Sequence, residues 1–255
     1  MISVVMATYN RAGTLPRAID SVLGQTYADW ELIVVDDGST DETAATLAAY
    51  ADERIRVFRH DGNRGVTAAK NTGLDHVRGE WFTTFDSDDE MVLDALAVMF
   101  ECAQRTGATA ITCNCLESWT GKMTGSGHSG DGWLSMEETA RCQGEHWGLT
   151  QTSLLGDLRF DERLPGSEET VWLKINGNAR RYYVHRALRI YHIEGEESVI
   201  GALGASSVSE KVRIYAAIGE DNVYLQALKQ ASPSGCRHMM LRVRAARLLL
   251  RRVIN

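Results

Sequence analysis

Short apolar runs alternate with amphipathic segments of helical length along the first 117 residues. Strands are predicted at 2–7, 31–37, 55–60, 80–86 and 110–117, and helices at 14–23, 39–51, 66–77 and 93–107. The strand runs are largely apolar, as expected for strands covered on both faces. Helices of this length between strands predict βαβ units, and hence an α/β fold with a mostly parallel central sheet flanked by helices.

The pattern weakens beyond Glu117. Residues 120–132 are rich in Gly, Ser and Thr and predict a loop or a hairpin. A helix is expected at 168–177, ending at a glycine, and β structure at 182–193. From Ser209 the chain is predicted to be helical to its end. We therefore divide it into a first half at 1–117, a second half of the same domain at 118–205 and a helical C-terminal tail at 206–255.

Polar side chains follow three of the predicted strands at the point where each strand ends. Tyr9 follows the first strand, Asp36 and Asp37 close the second, and Asp86 and Asp88 follow the fourth. The carboxyl ends of parallel strands share one edge of a sheet, where α/β proteins bind ligands. We therefore expect the three clusters to converge on one crevice.

The acids after the fourth strand, Asp86, Asp88, Asp89 and Glu90, are crowded enough to repel one another. Asp86 and Asp88 point the same way in an extended segment, and their oxygens suit Mg²⁺ or Mn²⁺ bound together with substrate phosphates. Helix capping is the alternative, but it explains only one or two of these acids. We assign Asp86 and Asp88 to a metal site and expect Asp89, which fits either role, to begin the next helix with Glu90.

The other two clusters favour recognition of a nucleotide. Asp37 can accept hydrogen bonds from a base edge or a ribose hydroxyl, and Tyr9 can stack on a planar base. In the alternative interpretation, Asp37 and Gly38 form a turn, the residues at 39–41 cap the following helix, and Tyr9 is a core residue.

Charge is unevenly distributed along the 255 residues. The whole chain carries −7, but residues 223–255 contain one lysine, six arginines and no acid, so the remaining residues carry −14. An acidic body argues against nucleic acid as a partner. The tail has helical apolar periodicity with arginines on another face. This favours either packing on the acidic body or peripheral contact with an anionic membrane.

Cysteine usage indicates a reducing compartment. The five cysteines are an odd number without a disulfide framework, and Cys113 and Cys115 lack a second pair or a nearby histidine to complete a zinc site. The first residues form a strand rather than a signal peptide, and no apolar run of about 18 residues is present. We expect a cytoplasmic protein. If it contacts a membrane, we expect the contact at the cytoplasmic face.

Four segments, in this order, resemble glycosyltransferase family 2: VVMATYNR, QTYADWELIVVDDGSTD, NRGVTAAKNTGL and GEWFTTFDSDD. The resemblance covers residues 2 to about 116. It implies the GT-A fold, with a nucleotide-sugar-binding first half and an acceptor-binding second half. It also implies metal-dependent transfer of a sugar from a nucleotide-diphosphate sugar, above all a UDP-sugar, to a hydroxyl of a glycan, a lipid-linked acceptor or a small molecule.

The resemblance assigns roles at the donor side. It implies nucleotide contacts for Ala7, Tyr9, Asp37, Lys70, Asn71 and Asp86. Relatives usually carry arginine where Lys70 stands, and lysine keeps the charge without the planar fork. Asp88 resembles the direct ligand of Mn²⁺ or Mg²⁺, and Asp86 resembles the acid that contacts the ribose or a metal-bound water.

Residues 160–175 resemble the acceptor-side segment, where the second of two acids is the catalytic base of inverting members. Glu169 is that base here and Glu168 its alternative, although relatives usually have Glu-Asp. Both acids could instead stabilise the start of a helix. His192 is a candidate third metal ligand or a structural histidine. A retaining transferase and a nucleotide-sugar-binding protein without catalysis remain as alternatives.

Overall fold

The computed structural model describes residues 1–142, 144–162 and 168–192. Three predictions lie outside these ranges: the helices from Ser209 onward, the tail at 206–255 and its basic amphipathic segment. Within the described ranges no helix is long and apolar enough to cross a membrane. The four cysteines described there are free thiols.

In the part of the chain that the structure describes, nine strands form one mixed sheet. They are β1 (Ile2–Thr8), β2 (Trp30–Asp36), β3 (Ile55–Arg59), β4 (Trp81–Thr84), β5 (Glu90–Met91), β6 (Ala110–Glu117), β7 (Gly132–Leu134), β8 (His146–Gln151) and β9 (Arg181–Tyr191). Their order is β3-β2-β1-β4-β8-β6-β9-β5, and β7 pairs with β9.

Among the described residues, six α-helices connect or cover the strands. They are α1 (Leu15–Leu23), α2 (Thr43–Ala48), α3 (Val66–Asp75), α4 (Ala95–Thr106), α5 (Met136–Arg141) and α6 (Glu169–Asn178). Gly107 ends α4 in the left-handed conformation that glycine adopts without a steric penalty. The α/β fold predicted from the sequence is confirmed.

The strands β3, β2, β1 and β4 form the parallel part of the sheet, as the βαβ pattern predicts. Ile2 lies opposite Trp30 on one side and Trp81 on the other, so β1, β2 and β4 end at the same edge. β8, which was not predicted, runs antiparallel to both β4 and β6. The sheet is therefore parallel through β4 and mixed beyond it.

Both faces of the parallel strands are covered. Val4 and Met6 of β1 belong to the core that α1 and α4 share, whereas Val5 belongs to the core that α3 and α6 share. This alternation follows from the two-residue period of a strand. Each buried aliphatic side chain stabilises the fold by about 1.5–3 kcal/mol, so a strand that is apolar on both faces anchors two helical layers.

Several predicted boundaries were wrong in detail. α2 begins at Thr43 rather than at Ser39 or Thr40, and α6 continues past Gly177 to Asn178. α1 begins at Leu15 rather than at Thr14, whose hydroxyl donates to the carbonyl of Ser87. An antiparallel bridge between Leu116 and Met123 gives the loop after β6 a hairpin-like start.

Candidate functional site

A cleft of about 740 Å³ opens at the edge where β1, β2 and β4 end. The structure brings all three polar clusters into it, together with residues of α3 and α6 and the end of β9. Eight of the residues singled out from the sequence line it: Ala7, Tyr9, Asp37, Lys70, Asp86, Asp88, Glu168 and His192.

Asp37 organises one wall of the cleft. Its carboxylate accepts hydrogen bonds from the backbone N–H groups of Arg64 at 3.0 Å and Gly65 at 2.7 Å, and lies 2.6 Å from His60 Nδ1. Gly38, at φ +73°, allows close packing here, because a Cβ would lie 2.5 Å from the backbone of Gly62. Asp37 therefore fixes the 60–65 loop beside the cleft.

Two neighbouring side chains differ in how far they reach the cleft. Tyr9 is 37% exposed and lines it. Asp36 is buried, accepts a hydrogen bond from the Ser39 backbone and pairs with Arg59 at 2.6 Å. It supports the turn after β2 rather than the cleft surface.

Lys70 lies between the two walls of the cleft. Its Nζ is 3.5 Å from Asp86 on one wall and 3.9 Å from Glu168 on the other. Burial acts to lower the pKa of Lys70, but Asp86 and Glu168 outweigh it, so the pKa lies above its usual value. Lys70 thus carries a positive charge inside the cleft.

Arg189, near the end of β9, was missed by sequence reasoning and is 4% exposed. Its guanidinium donates to Asp89 and, at 2.7 Å, to Asp86, and it lies 3.5 Å from Glu145. Burial acts to raise the pKa of Asp86, but Lys70 and Arg189 lower it to about 2. In the sequence, Arg189 is visible only as a charged residue within a predicted strand. That pattern does not reveal which carboxylates the side chain contacts.

Asp88 lacks a comparable cation. The nearest, Arg11 Nη2, is 3.8 Å from its carboxylate. Burial and the neighbouring Asp86 raise the pKa of Asp88. An under-compensated carboxylate beside a second one suits a hard divalent cation. No three His, Cys, Asp or Glu side chains of the described residues are grouped as a self-sufficient metal site, so a cation here would also need ligands from the substrate.

Asp89 and Glu90 do not begin a helix, so that prediction was wrong. Asp89 is fully buried and pairs with Arg189, while Glu90 starts β5, and α4 begins only at Ala95. Burial raises the pKa of Asp89, and Arg189 opposes that rise. The Asp89–Arg189 ion pair and the pairing of β5 with β9 outweigh the stabilisation that helix capping by Asp89 and Glu90 would give.

His192 is held by the same acidic segment. Its backbone N–H donates to Asp89 at 2.9 Å, and its Nε2 lies 2.9 Å from Glu90. His192 lines the cleft, but its side chain contacts Glu90 rather than Asp88. Its role as a third metal ligand stays a prediction.

The wall of the cleft that carries Glu168 is built on α6. Glu168 directly precedes the helix and lines the cleft, and Glu169 is the first helical residue. Asn71, in contrast, is not among the lining residues. Its amide donates to the carbonyl of Phe160 and accepts from the N–H of the same residue, at 2.9 and 2.8 Å, and so ties α3 to the segment that precedes α6.

We expect Arg189→Met to lower the free energy of unfolding by about 3–5 kcal/mol, because it leaves Asp89 buried without its cation. Asp86 is 40% exposed at the cleft, so the loss of its ion pair with Arg189 adds less to the destabilisation. The matched control is Arg186→Met, whose ion pair with Asp94 is exposed and should cost about 1 kcal/mol or less. Urea denaturation of both variants measures the difference, and equal losses would contradict this account of Arg189.

Known proteins resemble this chain in sequence and in fold. Glycosyl transferase family 2, as a family profile, matches residues 3–143. A Campylobacter jejuni protein, GalNAc(5)-diNAcBac-PP-undecaprenol beta-1,3-glucosyltransferase, is 34% identical over 220 residues, which is 83% of this chain and 70% of that protein. The Escherichia coli protein WfgD, UDP-Glc:alpha-D-GlcNAc-diphosphoundecaprenol beta-1,3-glucosyltransferase, is 38% identical over 96 residues, 38% of each chain.

Solved structures share the fold. TarS of S. aureus in complex with UDP has a TM-score of 0.75 at 19% identity, over 90% of this chain and 70% of that one. The mannosyltransferase PcManGT from Pyrobaculum calidifontis, in complex with GDP-Man and Mn²⁺, has a TM-score of 0.68 at 18% identity, over 96% of this chain and 73% of that one. At these identities the likeness is one of fold.

Proposed function

Because the chain belongs to glycosyl transferase family 2, we propose that it transfers a sugar from a UDP-sugar to a hydroxyl of a lipid-linked glycan. The observation that carries this proposal is the cleft itself. Tyr9, Asp37 and the Asp86–Asp88 segment line its donor side, and Glu168 lines the wall opposite. Two relatives are named as beta-1,3-glucosyltransferases with diphosphoundecaprenol acceptors, which makes UDP-glucose the first donor to test.

The donor edge fits a divalent cation. Asp88 would hold Mn²⁺ or Mg²⁺, with Asp86 beside it and the donor diphosphate supplying further oxygens. The bound cation would act as a Lewis acid on the departing nucleoside diphosphate. Lys70 and Arg189 add positive charge on the same side of the cleft, so negative charge that develops on the leaving group is stabilised from two directions.

The acceptor side would supply the base. Glu169, at the first position of α6, takes the proton from the acceptor hydroxyl, whose oxygen attacks the anomeric carbon. The bond from that carbon to the donor phosphate breaks on the opposite face, so the configuration inverts. Lys70 contacts Glu168 on this wall and Asp86 on the opposite wall, and so holds the two walls of the cleft in position.

The tail would bring the protein to its acceptor. A lipid-linked glycan lies at a membrane, and residues 223–255 carry a charge of +7 from one lysine and six arginines. Each basic residue near an anionic surface contributes about 1 kcal/mol of attraction. Peripheral membrane contact through the tail is part of this proposal.

Tyr9→Ala should raise the Kd for UDP about tenfold, because stacking of a base on an aromatic ring contributes about 1–3 kcal/mol. Tyr9 is partly exposed on the cleft, so its replacement should leave the fold intact. Isothermal titration with UDP and Mn²⁺ measures the effect. Tyr9→Phe, which keeps the ring, is the control and should bind UDP as the native chain does. Unchanged affinity in Tyr9→Ala would remove Tyr9 from the nucleotide site.

A further inference from the structure

Two buried arginines on β9 have opposite surroundings. Arg189 is surrounded by carboxylates, whereas Arg181, the first residue of the strand and 8% exposed, forms no ion pair with a described carboxylate. The Arg181 guanidinium donates to the hydroxyls of Thr112, at 2.8 Å, and Thr139. Its Nε–H is buried and has no hydrogen-bond acceptor among the residues that the structure describes.

A buried cation without an anion is costly. Removing a charge from water costs several kcal/mol unless an opposite charge compensates for it. Burial lowers the pKa of Arg181 to about 10, so the group still carries its charge at neutral pH. The two hydroxyls satisfy part of its hydrogen-bonding capacity but none of its charge. Such a group fits a site whose anion arrives with a ligand.

Arg181 lies on the same cleft as the donor edge. The wall between the two is built from β6 and β8, whose residues Thr112, His146, Gly148 and Thr150 line the cleft together with Arg181. Gly148 allows β8 to lie close to β6 in this wall, because a Cβ there would lie 2.1 Å from the carbonyl oxygen of Ile111. The cleft thus continues from the metal edge along the sheet to a buried guanidinium.

We propose that Arg181 binds a phosphate of the acceptor, the diphosphate that joins its glycan to the lipid. This assignment rests on the proposed function, and it names where the acceptor lies. The planar guanidinium matches phosphate geometry, and the unpartnered Nε–H is a donor already in place.

The spacing along the sheet also predicts the size of the acceptor. Arg181 is opposite Ala110 and Arg189 is opposite Cys115, so five residues of β6 separate the two arginines. At about 3.3 Å per residue this is roughly 17 Å. Such a separation exceeds one sugar ring, so the acceptor should carry more than one sugar between the attacked hydroxyl and the diphosphate.

Anion binding is tested first, without any transfer assay. Titration of the full chain with inorganic pyrophosphate, in the presence of saturating UDP and Mn²⁺ to fill the donor edge, should show binding that Arg181→Met loses. The control is Arg180→Met, the same change at the exposed neighbouring position, where the arginine lies over Trp133. Equal binding by Arg181→Met and the native chain would overturn the site, whatever the enzyme transfers.

The acceptor assignment is tested by kinetics. Arg181→Met should raise the KM for a diphosphate-linked oligosaccharide by at least about thirtyfold, the loss typical of a buried charge pair, and leave the KM for UDP-sugar unchanged. The same oligosaccharide without its diphosphate should show no difference between variant and native chain. If pyrophosphate binding depends on Arg181 but the acceptor KM does not, the site takes free phosphate, and the acceptor assignment is wrong.

A stability measurement separates binding from packing. Removing an uncompensated buried charge should leave the melting temperature of the ligand-free Arg181→Met protein equal to or above that of the native chain. A loss of several degrees would mean that Arg181 is structural. Arg181→Lys, which keeps the charge without the fork, should recover part of the acceptor affinity.

Discussion

Substitution of Asp88 by asparagine is expected to lower kcat/KM for sugar transfer by about 10³-fold. A bound divalent cation stabilises a departing phosphate by several kcal/mol, and each 1.4 kcal/mol, approximately, is a factor of ten. Asp88 lines the cleft beside Asp86 and is paired only loosely, with Arg11 Nη2 at 3.8 Å from its carboxylate. Its loss should therefore remove the main protein ligand while the Asp86–Arg189 pair remains in place.

Stability distinguishes this effect from unfolding. Burial and Asp86 raise the pKa of Asp88, so its charge is unfavourable in the folded protein, and the asparagine variant should melt no lower than the native chain. Asp94→Asn is the control, because Asp94 forms an exposed pair with Arg186 outside the cleft and should retain full activity. Unchanged transfer by Asp88→Asn under saturating donor would show that Asp88 is not the metal ligand.

Glu169→Gln is expected to lower kcat by about 10²–10⁴-fold with little change in the KM for the donor. This is the range that a general base contributes, and glutamine keeps the size of the side chain without its basicity. The acidic limb of the pH profile of kcat/KM should disappear at the same time. A folding defect would not remove that limb selectively, so the profile separates a lost base from a damaged helix.

Glu168→Gln is the companion variant. Glu168 lies 3.9 Å from Lys70 and should act through that contact, so its loss should lower kcat by a factor of about ten or less. The reverse ranking of the two variants would make Glu168 the base. Loss of activity in neither variant would favour a retaining mechanism, which the anomeric configuration of the product would show directly.

The parallel half of the fold could be predicted because its signals are local. Strands covered on both faces read as apolar runs, and the polar residues that end them, such as Tyr9, Asp37 and Asp86, necessarily meet at one edge of the sheet. The same reasoning fails for β8. Its six residues, HWGLTQ, mix polar and apolar types, because its position between β4 and β6 is set by antiparallel pairing with distant segments.

The missed parts of the site are long-range ion pairs. Asp89 and Arg189 are 100 residues apart, and no local propensity encodes their contact. Capping and the helix dipole are local effects of about 1 kcal/mol, so a buried charge pair readily outweighs them. Arg181 was missed for a related reason, since its isolation from carboxylates becomes visible only once the strands are assembled.

The central claim is that this cleft transfers a sugar from a UDP-sugar to a lipid-linked glycan with inversion. Its most direct test is incubation of the full chain with UDP-glucose, Mn²⁺ and an undecaprenyl-diphosphate-linked oligosaccharide, followed by measurement of UDP release and of the configuration of the new linkage. We expect one UDP released for each sugar transferred and a β-linked product. The Asp88→Asn variant should give neither. An α-linked product, or equal product from the Asp88→Asn variant, would contradict it.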